Sequence, residues 1–318
     1  MKRWAVLALG LLVAGCTSGS TTLSRAPSSL PPPRQDPGLV YDAADRSLVL
    51  FGGQRLVPGA PAPEVLGDTW TFDAGGWHDR HPADNPPGSV DPSMAYDPVT
   101  RTVLLYETGA TQSLWSWNGS DWSQRRRAQL PPNMIATPLG VDPINRHLVA
   151  LAPATEDLVG GLIGWAWDGR SWSPSWAAGP PAQPGGGLVW DPRSRSELYF
   201  DYPGGTSSCP SGSCSADTTG SRESQNWLWN GTAWRRMTVT AAPHPEVWLS
   251  TDEAIGSVVA VDSGGRLWMW TGSEWVVIAN QDLHATAEAV AYDPARRGLV
   301  ALTAEGTWLW TGSKWRRD

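Results

Sequence analysis

Apolar and polar positions alternate with a period of two over short stretches, and the stretches recur as units along the chain. A Trp-x-Trp pair, once Trp-x-Phe, stands at Trp70/Phe72, Trp115/Trp117, Trp165/Trp167, Trp227/Trp229, Trp268/Trp270 and Trp308/Trp310. A third Trp follows each pair, at Trp77, Trp122, Trp172, Trp234, Trp275 and Trp315. A period of two sends both aromatic rings of a pair to the same face of a β-strand. Between the pair and the third Trp lie Asn118-Gly119, Asp168-Gly169, Asn230-Gly231, Thr271-Gly272 and Thr311-Gly312. Asn-Gly and Asp-Gly favour the positive φ angles of hairpin turns. The pair therefore closes one strand and the third Trp opens the next.

A second motif lies upstream in the units: Tyr41-Asp42, Tyr96-Asp97-Pro98, Val141-Asp142-Pro143, Trp190-Asp191-Pro192 and Tyr292-Asp293-Pro294, with Asp252-Glu253 as a degenerate copy. Asp caps turn amides and Pro presets φ. A continuous apolar strand follows, as in Leu48-Val49-Leu50-Phe51 and Val258-Val259-Ala260-Val261. Arg46, Arg101, Arg146, Arg195 and Arg297 follow the Asp by four residues, and an Asp–Arg pair across the turn is expected. Each unit reads as strand, Asp turn, strand, loop, Trp-x-Trp strand, turn and Trp strand. Six such units over residues 38–318 predict an all-β chain: a six-bladed β-propeller of four-stranded antiparallel blades, with six complete blades in register from Gly38 to Trp315. The pattern resembles kelch repeats, as in the galactose oxidase propeller. Phe51-Gly52-Gly53 followed by Asp68-Thr69-Trp70 is the closest match, and the double Gly is lost in later units. The resemblance carries no oxidase activity, which needs copper, a Tyr joined to a free Cys, and His ligands.

Composition narrows the class. Of 318 residues 21 are Trp, against 6 Tyr and 3 Phe, and the triplets absorb most of the Trp as packing. The 41% hydrophobic content is too high for a disordered chain. Gly and Pro, 34 and 28 residues, disfavour long helices and hence coiled coils and polytopic membrane bundles. A net charge of −7 with scattered Arg argues against general nucleic-acid binding.

The N-terminus adds a compartment. Lys2-Arg3 precedes an apolar run from Trp4 to Val13, too short to remain as a bilayer span. It ends in Val13-Ala14-Gly15-Cys16, which resembles the lipobox of bacterial lipoproteins. That resemblance implies a signal peptide over residues 1–15, lipidation of Cys16, and a lipid anchor on the extracytoplasmic side of the cell membrane. Residues 16–37, rich in Ser, Thr and Pro, read as a tether. Cys209 and Cys214 remain, and in an oxidising compartment they are expected to form a small-loop disulfide.

The units differ most between their second and third strands. Insertions span Gln54 to Gly67, Ala152 to Gly164 and Asp201 to Asn226, all on one face of the ring. Irregular loops on a repeat scaffold are where function concentrates. The candidate ligand-face residues are Arg55, Glu64, Glu156, Asp157, Arg222 and Glu223. His78 and His81 with Asp79 and Asp84 invite a metal reading, but neither a metal nor another cofactor is expected. Arg125-Arg126-Arg127, the densest charge run, reads as a solvated edge. No catalytic motif of a nucleophile or phosphate loop occurs. The expectation is a monomeric, membrane-anchored binding module for a protein, peptide or glycan. The alternative is a carbohydrate-active hydrolase or lyase with its site on the long-loop face.

Overall fold

A computed structural model describes residues 30–107, 112–125, 130–131, 138–155, 161–176, 179–180, 186–201, 225–230, 232–243, 247–279, 283 and 285–318. Blade one comprises β1 (Gly38–Asp42), β2 (Ser47–Phe51), β5 (Thr69–Asp73) and β6 (Gly76–Arg80), with a separate hairpin of β3 (Gln54–Arg55) and β4 (Glu64–Val65) inserted. Blade two is β7 (Ser93–Asp97), β8 (Thr102–Glu107), β9 (Ser113–Trp117) and β10 (Trp122–Gln124), and blade three is β11 (Leu139–Asp142), β12 (His147–Pro153), β13 (Leu162–Trp167) and β14 (Trp172–Trp176). Blade four is β15 (Gly187–Asp191), β16 (Ser196–Asp201), β17 (Gln225–Trp229) and β18 (Trp234–Met237). Blade five is β19 (Val247–Asp252), β20 (Ser257–Asp262), β21 (Leu267–Trp270) and β22 (Trp275–Ala279). Blade six is β23 (Ala287–Asp293), β24 (Gly298–Thr303), β25 (Gly306–Trp310) and β26 (Trp315–Arg317). Each blade is an antiparallel meander paired in chain order. The first strands touch one another in a ring that closes from β23 to β1. The six blades are those expected, and no strand is exchanged at closure.

The second strand of each blade is mostly apolar in its middle because both of its faces are covered, with Glu197 in β16 as the exception. Leu48 and Leu50 pack toward blade six, whereas Val49 and Phe51 pack toward blade two. The third Trp pairs directly with the ring that ends the preceding strand, as in Trp117↔Trp122 and Trp270↔Trp275. Ring centroids in these two pairs lie 5.4 Å and 5.3 Å apart, in tilted contact. The indole N–H then crosses the seam between blades. Trp122 donates to Thr69, Trp275 to Asn226 and Trp77 to Thr307, at 2.9, 2.8 and 2.7 Å. Each acceptor is the residue just before the first Trp of the preceding blade. Leu114 and Leu267 hold that position opposite Trp172 and Trp315, whose indole N–H groups have no hydrogen-bond acceptor among the described residues.

The turns use one device twice. The Asp that opens each turn accepts the backbone amide two residues on and a donor three residues on, the amides of Ile144 and Asn145 for Asp142 and the Val99 amide with the Thr100 hydroxyl for Asp97. Arg46, Arg101, Arg146, Arg195 and Arg297 then adopt left-handed conformations with φ between 53° and 57°. The expected Asp–Arg pair within the turn is not what recurs. Among the described residues, only blade six ion-pairs its turn Asp with an Arg, and it does so through Arg296 rather than Arg297. In blades one and two the recurrent Arg turns toward the tyrosine of its own blade: Arg46 meets Tyr41 and Arg101 meets Tyr96, and the charge of Arg101 is felt by Asp42 of the blade before. Backbone amides take one oxygen of the turn carboxylate, and the other accepts nearby side chains such as Asn145, Ser194 and, in blade six, Arg296. In the other hairpins, Asn118 accepts the amides of Ser120 and Asp121 in the same way, and Gly119 rather than Asn118 carries the positive φ.

Residues 34–37, placed in the tether by composition, belong to the folded body. The Arg34 side chain is fully buried and reaches Gly52 O at 2.9 Å and both carboxylate oxygens of Asp68 at 2.7 Å. Gln35 bridges to Gln54. The double Gly of blade one makes room for these strands of chain. A Cβ on Gly52 would stand 2.5 Å from Ser89 O, and one on Gly53 would stand 2.6 Å from Gln35 O. Among the described residues, no helix is long and apolar enough to cross a membrane.

Candidate functional site

Antiparallel meanders put the insertions and the blade-to-blade connections on one face, at the mouth where the innermost strands begin. The carboxylates buried along this rim are mostly engaged. Asp68 accepts from Arg34 and from Trp70 Nε1 at 2.6 Å. Burial would raise its carboxyl, but these donors outweigh that and hold it below the ordinary carboxylate range. Asp262 accepts from Arg266 and from Trp268 Nε1, both at 2.8 Å. Glu107 accepts from Ser113, which in turn accepts from Trp115 Nε1. A polar group near the start of the third strand, or at the end of the second in blade five, thus caps the first indole of blades one, two and five.

Two exposed carboxylates stand apart from this scheme. Asp36 precedes β1 and Asp91 precedes β7, each followed by Pro, and each holds φ at 51°. A left-handed Asp costs conformational energy, and such residues cluster at functional sites. The Asp91 amide donates to Asp36 O at 2.8 Å, which fixes the two side by side; desolvation first and the charge of Asp36 second raise the Asp91 carboxyl above its ordinary range. Gln54 Nε2 donates to Asp36 Oδ2 at 3.3 Å. The mouth between blades one and two therefore offers two carboxylates and an amide, a set that can accept from and donate to hydroxyl groups. The sequence carried a faint signal of it: Asp-Pro stands just before the first strand in these two blades and in no others.

The expected ligand-face residues divide. Arg55 and Glu64 face each other across the β3–β4 ladder, with Arg55 Nε 2.7 Å from Glu64 Oε2. Both are exposed, so the pair is solvated and holds the hairpin only weakly. Glu156, Asp157, Arg222, Glu223, Cys16, Cys209 and Cys214 lie outside the described residues. His78 shares a hydrogen bond with Asp73, and His81 lies 3.7 Å from Asp79. Asp84 meets Asp121 through its amide, and no three metal-ligating side chains converge among the described residues. Arg125 extends the β10 ladder by donating its amide to Leu114 O; Arg126 and Arg127 are outside the described residues.

The opposite mouth is built from the turns. There Tyr41 meets Arg46 and Asp293 of blade six, and Tyr96 meets Arg101 and Asp42 of blade one. Burial pushes both phenols above their ordinary range, and the neighbouring Asp adds to the rise. Each tyrosine thus bonds the Arg of its own turn, and the Asp of the neighbouring blade acts on it only through its charge.

No family model matches the sequence, and no curated protein matches it. Solved structures share the fold. A gluconolactonase from Xanthomonas campestris is 13% identical, with a TM-score of 0.55 over 88% of this chain and 86% of its own. An α-L-arabinanase from Penicillium chrysogenum, complexed with arabinobiose, is 13% identical, with a TM-score of 0.52 over 91% and 94%. The SapL1 lectin, complexed with alpha methyl fucoside, is 13% identical, with a TM-score of 0.51 over 90% and 95%. At this identity the likeness is one of architecture: the chain is an all-β, six-bladed propeller.

Proposed function

We propose that the chain is a lipid-anchored extracytoplasmic protein whose propeller binds a glycan at the long-loop mouth. The observation that carries the binding site is the exposed pair Asp36 and Asp91, held by left-handed backbones on a rim whose other acids are mostly engaged. Carboxylates and a side-chain amide suit sugar hydroxyls, and both a lectin and an arabinanase are built on this fold. Anchoring rests on Lys2-Arg3, the short apolar run and Val13-Ala14-Gly15-Cys16; kinship with kelch repeats rests on Phe51-Gly52-Gly53 and Asp68-Thr69-Trp70. Cys209 and Cys214 would brace the blade-four loop as a disulfide.

Cys16→Ala should move the protein from the membrane to the soluble fraction; retention in the membrane would refute the anchor. On a glycan array, the wild type should bind a defined set of saccharides and the Asp36→Asn/Asp91→Asn variant should lose at least tenfold in affinity. Equal binding by the two would remove the site. The same carboxylate pair favours hydrolysis as a second reading. Release of shorter sugars from a bound oligosaccharide by the wild type, and not by the variant, would select it.

A further inference from the structure

The β3–β4 hairpin stands outside the ring of blades, and its tip is chemically unlike the rest of the surface. Between Arg55 and Glu64, which pair at its base, runs Leu56-Val57-Pro58-Gly59-Ala60-Pro61-Ala62-Pro63. None of these eight side chains carries a charge or a hydrogen-bonding group. The tip is exposed throughout: Leu56 is 73% accessible, and a Cβ on Gly59 would meet nothing within 4 Å. Val57, Val65 and Leu30 are exposed as well. These four make up nearly half of the nine large apolar side chains exposed among the described residues. Val99, Ile144 and Ile255 stand singly on turns of separate blades, and Val277 and Ile278, at 38% and 39%, are about half as exposed as Leu56 and lie on the outer strand β22. An apolar cluster of this kind on an otherwise polar surface marks a contact.

The course of the N-terminal segment says what the contact is with. Gln35 pairs with Gln54 at the foot of the hairpin, and Arg34 locks the segment to Asp68, so the chain leaves the propeller at the foot of this hairpin. Leu30 stands fourteen positions after Cys16. A chain of that length reaches at most roughly 45 Å when fully extended. We propose that the hairpin tip rests in the interfacial layer of the bilayer to which Cys16 is anchored. This rests on the reading of Cys16 as lipidated. The tether makes the contact intramolecular, so a tip too weakly apolar to hold a free protein on lipid can still dock an anchored one. Uncharged, proline-stiffened and without free backbone length, the tip loses little freedom on docking.

Hydrogen exchange on the full mature chain tests this. The protein is coupled through position 16 to a maleimide lipid in phosphatidylcholine vesicles, which supplies the anchor whether or not cells do. The Cys209→Ser/Cys214→Ser background restricts coupling to that position. Amides of residues 55–65 should exchange at least tenfold more slowly on vesicles than in solution, and those of the Thr271–Glu274 turn on the other face should be unchanged. Leu56→Asp/Val57→Asp should abolish the slowing while leaving exchange in β2 and β24 as in the wild type. Unchanged exchange at the tip of the coupled wild type would overturn the proposal, as would slowing that survives the double substitution. Failure of Cys16→Ala to release the protein in cells refutes the anchor and leaves this measurement interpretable.

Discussion

Glu197 is the residue that departs furthest from its repeat. Leu48, Val103, Leu148, Val258 and Leu299 hold the same second-strand position in the other blades, all of them buried. Glu197 is equally buried, and neither carboxylate oxygen has a hydrogen-bond partner among the described residues. Gly140 across the seam, where other blades carry Val40 or Ala95, leaves the space it needs; a Cβ there would stand 3.2 Å from Glu197 Oε2. Burial first, and the nearby charge of Asp142 second, raise its carboxyl well above the ordinary range. The folded state therefore binds a proton that the unfolded state releases. The stability tied to it is fully present below the unfolded glutamate value and declines as pH rises toward the folded one. Thermal melts from pH 4 to 9 should show that decline in the wild type and a shallower one in Glu197→Gln. Glu197→Leu should gain about 1–3 kcal/mol at neutral pH, the scale of burying an unsatisfied polar group. Identical pH profiles for all three proteins would refute the account.

At the scale of single elements, the Asp turns allow conformation to be separated from contact. Gly256 occupies in blade five the left-handed position that Arg holds elsewhere, with φ at 64°, and a Cβ there would touch nothing within 4 Å. Gly256→Ala should then cost only the left-handed penalty, about 1–2 kcal/mol. Gly298 opens β24 after the equivalent turn, and a Cβ on it would stand 2.0 Å from Trp310 O. Gly298→Ala should cost clearly more, because strand backbone must move. Denaturant titrations that reverse this order would refute the reading of the turns. The elements themselves were legible in the sequence because a strand's period, a capping Asp and a turn Gly act within a few residues of one another. Partners across a seam were not. Asp42, whose carboxyl feels the charge of Arg101, lies in the preceding blade, and nothing in Asp97-Pro98-Val99-Thr100-Arg101 says that Trp167 of the next blade already engages Asp97. The Asp36–Asp91 pair was missed for the same reason: each is an ordinary Asp-Pro until the ring sets two blades side by side. Arg34 was read as tether because composition cannot show that a single guanidinium is buried.

At the scale of the whole molecule, the seam between blades one and six is made by side chains. Trp77 reaches Thr307, and Arg296 reaches the Asp73 carbonyl with its guanidinium 4.3 Å from the Phe72 ring centre. Thr307→Val would keep the shape and leave the buried Trp77 N–H unpaired, at a cost of about 1–3 kcal/mol. Exchange at β1 and β23 should quicken before exchange at β12 in this variant. Uniform quickening around the ring would show that the closing seam has no separate stability.

Every blade is one uninterrupted length of chain, and that sets an order of assembly. Pairing within a blade joins near neighbours in sequence, which keeps the entropic cost of each step small. A chain emerging from its N-terminus can complete five blades and the four seams between them in turn. The sixth blade alone makes two seams at once, one with blade five and one with blade one, joining residues as distant as Trp77 and Thr307. Until it arrives, Phe72 and Trp77 at one end of the arc and Val259 and Leu267 at the other stand uncovered. An unclosed arc with two apolar flanks is the form of this protein most prone to associate with another copy of itself.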